Sequence, residues 1–181
     1  KEAAQEWRIT MKKVDLHVHS TYSDGTNTPK ELIKLAENEG LSAIALTDHD
    51  TLDGIPDALD AAKNSSVELI PGVELSTNFN NTEVHIVGLF LDHNNKQIND
   101  YLIYQRQSRI DRNIQMCQKF CDIGINITYD KMCELYPDAV ITRAHFADYL
   151  VKNKYTGDRN EAFDRYLSPG KPCFVNRHKV D

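Results

Sequence analysis

Apolar and polar residues alternate along Val14-Asp15-Leu16-His17-Val18-His19-Ser20, and a period of two predicts a strand. On its pleat Val14, Leu16 and Val18 face a core, while His17 and His19 project together from the other side. The period then becomes helical. Thr28-Pro29-Lys30-Glu31 combines a Thr cap, a Pro in the first turn and a Glu three residues after the cap. The helix it starts should bury Leu32, Leu35 and Ala36 and stop at Gly40. Leu41 to Thr47 reads as a short apolar strand, and a second helix is expected from about Asp53 to Lys63, with Pro56 in its first turn. Val67 to Ile70 is a third strand leading through Pro71-Gly72 to Glu74, and Thr82 to Leu91 is a fourth. Strands alternating with helices predict an α/β fold with a largely parallel sheet.

From about Asn95 the pattern changes. Ile98, Leu102, Ile110, Ile114, Cys117 and Cys121 recur at mostly helical spacings, predicting a long polar helix that ends near Gly124. Shorter helices are expected near Tyr129 to Leu135, Arg143 to Lys152 and Asn160 to Leu167. After a loop at Ser168-Pro169-Gly170-Lys171-Pro172, Cys173-Phe174-Val175 should resume an extended segment. The expected organisation is an extension at 1–10, the first half of an α/β body at 11–94, an all-helical insertion at 95–171 and a return to the body at 172–181.

Composition narrows the function. With 181 residues and 40% hydrophobic content the chain can build a substantial core. Lys+Arg 21 against Asp+Glu 27 gives a net charge of −6, which argues against a broad basic surface tracking duplex nucleic acid. An anionic substrate would have to be attracted locally, as bound divalent cations would do. The sequence contains no apolar run long enough to span a membrane, and no secretory segment is visible in it. Its four cysteines form no Cys-x-x-Cys pair, so reduced thiols in the cytoplasm are expected, with Cys117 and Cys121 as small core residues.

The polar clusters fall at or just past the predicted strand ends, where parallel α/β folds build their sites. They are His17 with His19, Ser23-Asp24-Gly25, Thr47-Asp48-His49-Asp50-Thr51, Gly72-Val73-Glu74 and Glu83-Val84-His85. Mixed imidazole and carboxylate donors suit zinc, iron or manganese better than calcium. Glu74 is a carboxylate that could bridge two ions. Asp15 and Asp48 could each hold an imidazole tautomer or be plain solvated carboxylates.

Together these motifs resemble the PHP (polymerase and histidinol phosphatase) superfamily. Thr142-Arg143-Ala144-His145-Phe146-Ala147, Ala162-Phe163-Asp164-Arg165-Tyr166-Leu167 and Gly170-Lys171-Pro172 are similar to a branch of nucleotide phosphoesterases that includes RNase AM and 3',5'-nucleoside bisphosphate phosphatases. The resemblance runs from about Met11 to Arg177. It implies a distorted (β/α)7 barrel with up to three divalent ions (Mn, Zn or Fe) at the carboxyl ends of its strands. His17 and His19 would hold the first ion, Glu74 would bridge the first and second, His85 would bind the second, and Asp24 and His49 the third. Arg143 and His145 would reach the substrate phosphate, although the motif reads Thr-Arg-Ala-His where Gly-Arg-Pro-His is more usual. The family's later Ala-His-Pro and Ser-Asp-x-His motifs are absent from this sequence, so it should form the N-terminal half of the barrel and leave apolar sheet edges exposed.

The implied activity is hydrolysis of nucleotide phosphate esters by metal-activated water, on a nucleoside 3',5'-bisphosphate or a short RNA 5' end. Arg143 would grip phosphate oxygens, and His145 would donate a hydrogen bond or act as general acid. The expected partner is a small phosphorylated molecule, with no duplex track and no membrane. Histidinol-phosphate phosphatase and a noncatalytic metal-binding interaction module are the alternatives, and the helical insertion favours the nucleotide branch.

Overall fold

The computed structural model describes residues 12–80 and 82–177, so the extension at 1–10 lies outside the described residues. Strands β1 (Lys13–Val18), β2 (Leu41–Leu46), β3 (Glu68–Phe79) and β4 (Thr82–Leu89) form one sheet in that order. β1 with β2 and β2 with β3 are parallel, joined across the sheet by α1 (Pro29–Asn38) and α2 (Ile55–Ala62). β3 and β4 form an antiparallel hairpin. The result is the expected α/β half barrel.

α1 starts as its sequence dictates: Thr28 accepts from the Glu31 backbone, Glu31 accepts from the Thr28 backbone, and Gly40 ends the element at φ +68°. The buried stripe is Leu32, Ile33 and Ala36, whereas Leu35 is 48% exposed, because the helix turns its Ile33 side inward. β3 runs far beyond Ile70. Its first residues pair with β2 up to Leu46↔Pro71, and from Gly72↔Leu89 onward it pairs with β4. Pro71 sits at this exchange of partners, where its missing donor matters least and its carbonyl accepts from Leu91. Glu74 and His85 therefore lie within strands rather than at strand ends.

The expectation that β1 buries its apolar face fails for two residues: Val14 is 50% and Leu16 40% exposed, and only Val18 packs on the core. β1 is one edge of the described sheet, and at the other edge, on β4, Val84 and Ile86 are exposed as well.

The helical part contains α3 (Lys96–Asp122), α4 (Tyr129–Leu135), α5 (Arg143–Lys152) and α6 (Arg159–Ala162), which runs on into a π-helical turn, Phe163–Leu167. Its core is Met116, Phe120, Ile127, Met132, Phe146, Leu150 and Leu167. Cys173 and Val175 pack on this core, and 174–177 is irregular, so the extended segment expected at Cys173 does not form. Upstream, Ile98 and Leu102 of α3 pack on the sheet. The buried face of α3 differs from the predicted one. Ile114 and Cys121 are exposed, and the inward stripe between Leu102 and Met116 consists of Gln105, Arg109, Arg112 and Asn113. Among the described residues no helix is long and apolar enough to cross a membrane.

Candidate metal centre

The pleat of β1 carries His17 and His19 on one face, with ring centroids 5.1 Å apart. Both meet Glu74, His17 Nε2 at 2.8 Å and His19 Nε2 at 2.9 Å from its Oε2. Its other oxygen, Oε1, receives His85 Nδ1 at 2.6 Å. His49 leaves β2 through a single parallel bridge to Glu74, which holds its Nδ1 3.6 Å from Glu74 Oε2 and its Nε2 3.4 Å from Asp24 Oδ2. Asp24 Oδ1 lies 3.4 Å from His19 Nδ1. The six predicted ligands thus converge as three overlapping groups: His17, His19 and Glu74; His19, Asp24 and His49; and His49, Glu74 and His85. Sequence reasoning paired His49 with Asp24 alone, but its second nitrogen also faces Glu74.

Arg143 and His145 stand beside this cluster rather than in it. Arg143 opens α5, donates to Glu83 Oε2 at 2.5 Å and lies over the Phe174 ring. His145 is buried, and its Nδ1 accepts from the Thr142 backbone at 2.9 Å in a capping arrangement at the start of α5. Thr142 Oγ1 in turn donates to Asp24 Oδ2 at 3.0 Å, tying the helical part to a carboxylate of the cluster.

Three residues of the predicted polar clusters support the site in ways the sequence did not indicate. Buried Asp48 holds no imidazole. It accepts from Ser20 N (2.7 Å), Ser20 Oγ (2.6 Å) and Ser23 Oγ (2.6 Å), and so folds the loop that presents Asp24. That loop turns so tightly that a Cβ on Gly25 would lie 2.1 Å from the His19 carbonyl, which is why the position must be Gly. Asp50 adopts φ +52°, a conformation Asp tolerates, and its Oδ1 accepts from Ser76 N while Oδ2 accepts from Arg109 Nε. Glu83 links Arg143 to His85 Nε2, the latter at 3.5 Å. Asp15 also holds no imidazole, accepting instead from the His17 backbone.

The electrostatics favour ionised carboxylates. Burial acts to raise Glu74, but hydrogen bonds from His17 and His85 and the nearby His49 hold it below its ordinary value. Asp24 is held far down in the same way, with burial outweighed by His49 and His19. The His85 hydrogen bond brings Glu83 to about 2. Burial, followed by the neighbouring His49, lowers His19 and keeps it a neutral donor of electron pairs. His49 Nδ1 is buried with no hydrogen-bond partner, a condition that a metal ion relieves.

The sequence profile of the PHP domain matches residues 15–170. The chain is 42% identical over 170 residues to a 5'-3' exoribonuclease of Haemophilus influenzae, an overlap covering 94% of this chain and 62% of that protein. It is 37% identical over 169 residues to a 3',5'-nucleoside bisphosphate phosphatase of Chromobacterium violaceum, covering 92% of this chain and 59% of that one. Among solved structures, an amidohydrolase from Chromobacterium violaceum with bound sulfate and no metal superposes with a TM-score of 0.85 at 36% identity, over 92% of this chain and 59% of its own. A suggested metal-dependent phosphoesterase from Bifidobacterium adolescentis gives 0.85 at 27% identity, over 93% and 59%. The chain therefore spans about three-fifths of the length of these relatives.

Proposed function

This chain belongs to the PHP domain family, and from that premise we propose that it is a metal-dependent phosphoesterase acting on nucleotides: a nucleoside 3',5'-bisphosphate or the 5' end of a short RNA. The observation that carries the proposal is the convergence of three His and carboxylate groups on the shared carboxylate of Glu74. His17 and His19 would hold one ion, Glu74 would bridge it to a second held by His85, and Asp24 and His49 would hold a third. His49 Nδ1 adds a donor toward the second. Bound manganese, zinc or iron would supply Lewis acidity and acidify a water near neutral pH.

The protein groups prepare the rest. Arg143 offers a planar fork to phosphate oxygens, and Glu83 sets its orientation. Burial keeps His145 neutral, and with Nδ1 accepting from Thr142 its ring proton lies on Nε2, toward the Ser23 backbone. It is thus built as a donor, one that positions the Ser23-Asp24 loop and the start of α5. The relatives named as an exoribonuclease and a nucleoside bisphosphate phosphatase support a nucleotide substrate. Four free cysteines support a reducing compartment, the cytoplasm.

The test is phosphate release from a nucleoside 3',5'-bisphosphate, a 5'-phosphorylated short RNA and histidinol phosphate, on the chain as the cell produces it, with each metal in turn. Hydrolysis of the first two well above the third is expected. Comparable rates on histidinol phosphate would overturn the substrate class, and metal uptake with no hydrolysis would leave a noncatalytic metal-binding module.

A further inference from the structure

Ser23 precedes Asp24 in the loop after β1 and is 1% exposed, with all three of its polar atoms engaged. Its N–H donates to the Ser20 carbonyl at 3.0 Å, and its own carbonyl receives the His145 ring proton. Its hydroxyl lies 2.6 Å from Asp48 Oδ1 and 3.2 Å from His19 Nδ1. Counting protons fixes the direction of both hydroxyl contacts. Asp48 is a carboxylate and only accepts, so the single hydroxyl proton of Ser23 goes to it. Ser23 Oγ then offers His19 nothing but electron pairs, and Nδ1 of that ring must carry the proton.

A neutral imidazole has one proton, so His19 Nε2 is left as an electron-pair donor. It faces Glu74 Oε2 at 2.9 Å, beside His17 Nε2 at 2.8 Å from the same oxygen. Glu74 is the nearer acceptor and competes for the proton, but Ser23 cannot turn its hydroxyl round to let it go. Asp48 also accepts from Ser20 N and Ser20 Oγ, and Ser20 Oγ accepts from Tyr22 N, so the whole hydroxyl network runs toward Asp48. A proton moved to Nε2 would set the Nδ1 electron pair against those of Ser23 Oγ and of Asp24 Oδ1, the latter 3.4 Å away.

The same proton settles a choice that distances leave open. His19 belongs to two ligand groups, through Nε2 to the one with His17 and Glu74 and through Nδ1 to the one with Asp24 and His49. A protonated Nδ1 has no electron pair for a metal, so His19 serves the first group alone.

We propose that Ser23 is a positioning residue: its hydroxyl, aimed by Asp48, holds His19 in the Nδ1–H tautomer and reserves Nε2 for an ion shared with His17 and Glu74. The inference rests on the metal-centre reading of the phosphoesterase proposed above, but metal affinity does not require hydrolysis. An acceptor on the far nitrogen of a ligating imidazole changes metal affinity by about 10–100-fold.

Ser20 supplies the control, since its hydroxyl donates to the other Asp48 oxygen at the same 2.6 Å while its remaining partner is the Tyr22 backbone rather than an imidazole. Zinc affinity, measured by competition with a chelator, should fall roughly tenfold or more in Ser23→Ala, change little in Ser20→Ala and recover in part in Ser23→Thr, which keeps a hydroxyl. Equal losses in the two alanine variants, or no loss in Ser23→Ala, would reduce Ser23 to a loop residue and overturn the proposal. Should Ser23→Ala fail to fold, NMR of the imidazole nitrogens in the zinc-loaded unmutated chain decides. His19 should carry its proton on Nδ1 and zinc on Nε2, and zinc on Nδ1 would overturn the tautomer lock. Zinc uptake that depends on Ser23 without phosphate release from any substrate would sink the catalytic reading and leave the lock standing, whereas no uptake by the unmutated chain would sink both.

Discussion

Glu74 concentrates the chemistry in a single carboxylate, since His17, His19 and His85 all close on its two oxygens. Glu74→Gln keeps the volume and one acceptor oxygen but removes the bridging charge. At least one metal equivalent should be lost by elemental analysis, at a cost in stability of at most about 1–3 kcal/mol. Unchanged stoichiometry would remove Glu74 from its bridging role. Asp48 should behave in the opposite way. Its three short hydrogen bonds serve only the Ser20 to Ser23 loop, so Asp48→Ala should cost about 2–4 kcal/mol in denaturant unfolding and loosen metal binding indirectly. The convergence of the six candidate ligands was legible in the sequence because metal chemistry admits few residue types and the period-two pattern puts His17 and His19 on one face. Asp48 was not, since an Asp preceding a His reads equally well as a partner for that ring. Only the fold shows that its carboxylate faces two serines 25 and 28 residues away.

Among the elements, the Thr28 cap carried the clearest signal in the sequence, and the structure adds further caps. The Thr28 capping box, the Thr128 and Thr142 caps and the Asn95 cap start α1, α4, α5 and α3 where the sequence places them. Hydropathy failed on α3, where the face that turns inward is charged in its middle third, so Ile114 and Cys121 look like better core residues than Arg109 and Arg112. Local pattern reports apolarity, whereas burial here follows from pairing with Asp50, a partner 59 residues distant. β3 escaped for a related reason: Pro71-Gly72 punctuates the sequence as a turn, yet in the sheet it marks a change of neighbour. The resulting helical core can be checked through its thiols. Burial pushes the Cys117 thiol up to about 12 and the Cys173 thiol up to about 11, whereas Cys121 and Cys133 are exposed. At pH 8 in native conditions two thiols should react promptly with Ellman's reagent and all four after unfolding. Prompt reaction of Cys173 would show that the segment after Pro172 does not pack on the helices.

At the scale of the molecule, the two larger apolar cores among the described residues are joined by α3 and by a polar seam, and a small third cluster of Ala43, Ala45 and Ile70 lies on the other face of the sheet. One core lies between the sheet and α1 and α2, and the other lies among the helices. Across the seam run Arg109 to Asp50, Arg106 to Thr51 and Asp53, Thr142 to Asp24, and the Val140 backbone to the Tyr22 carbonyl. Of these the Arg109–Asp50 pair is the most deeply buried, at 5% and 0% side-chain exposure. Such a pair is not in itself a strong stabiliser, because desolvation offsets its attraction, but removing one partner strands a charge and costs roughly 3–5 kcal/mol. Arg109→Met leaves Asp50 Oδ2 with the longer contact to Arg177, while Oδ1 keeps the Ser76 backbone, and Ser76 Oγ loses its donor. Since few apolar contacts cross the seam, the loss should fall on the coupling between the cores rather than on either core alone. Calorimetry of the unmutated chain should therefore show one transition, and Arg109→Met should separate it into two, the sheet core unfolding first because its edge strands are exposed. Adding Asp50→Leu to Arg109→Met should restore part of the lost stability by removing the stranded carboxylate, giving a double-variant cost below the sum of the single ones. A single sharp transition in Arg109→Met, or fully additive costs, would mean that α3 itself, and not the seam, holds the two cores together.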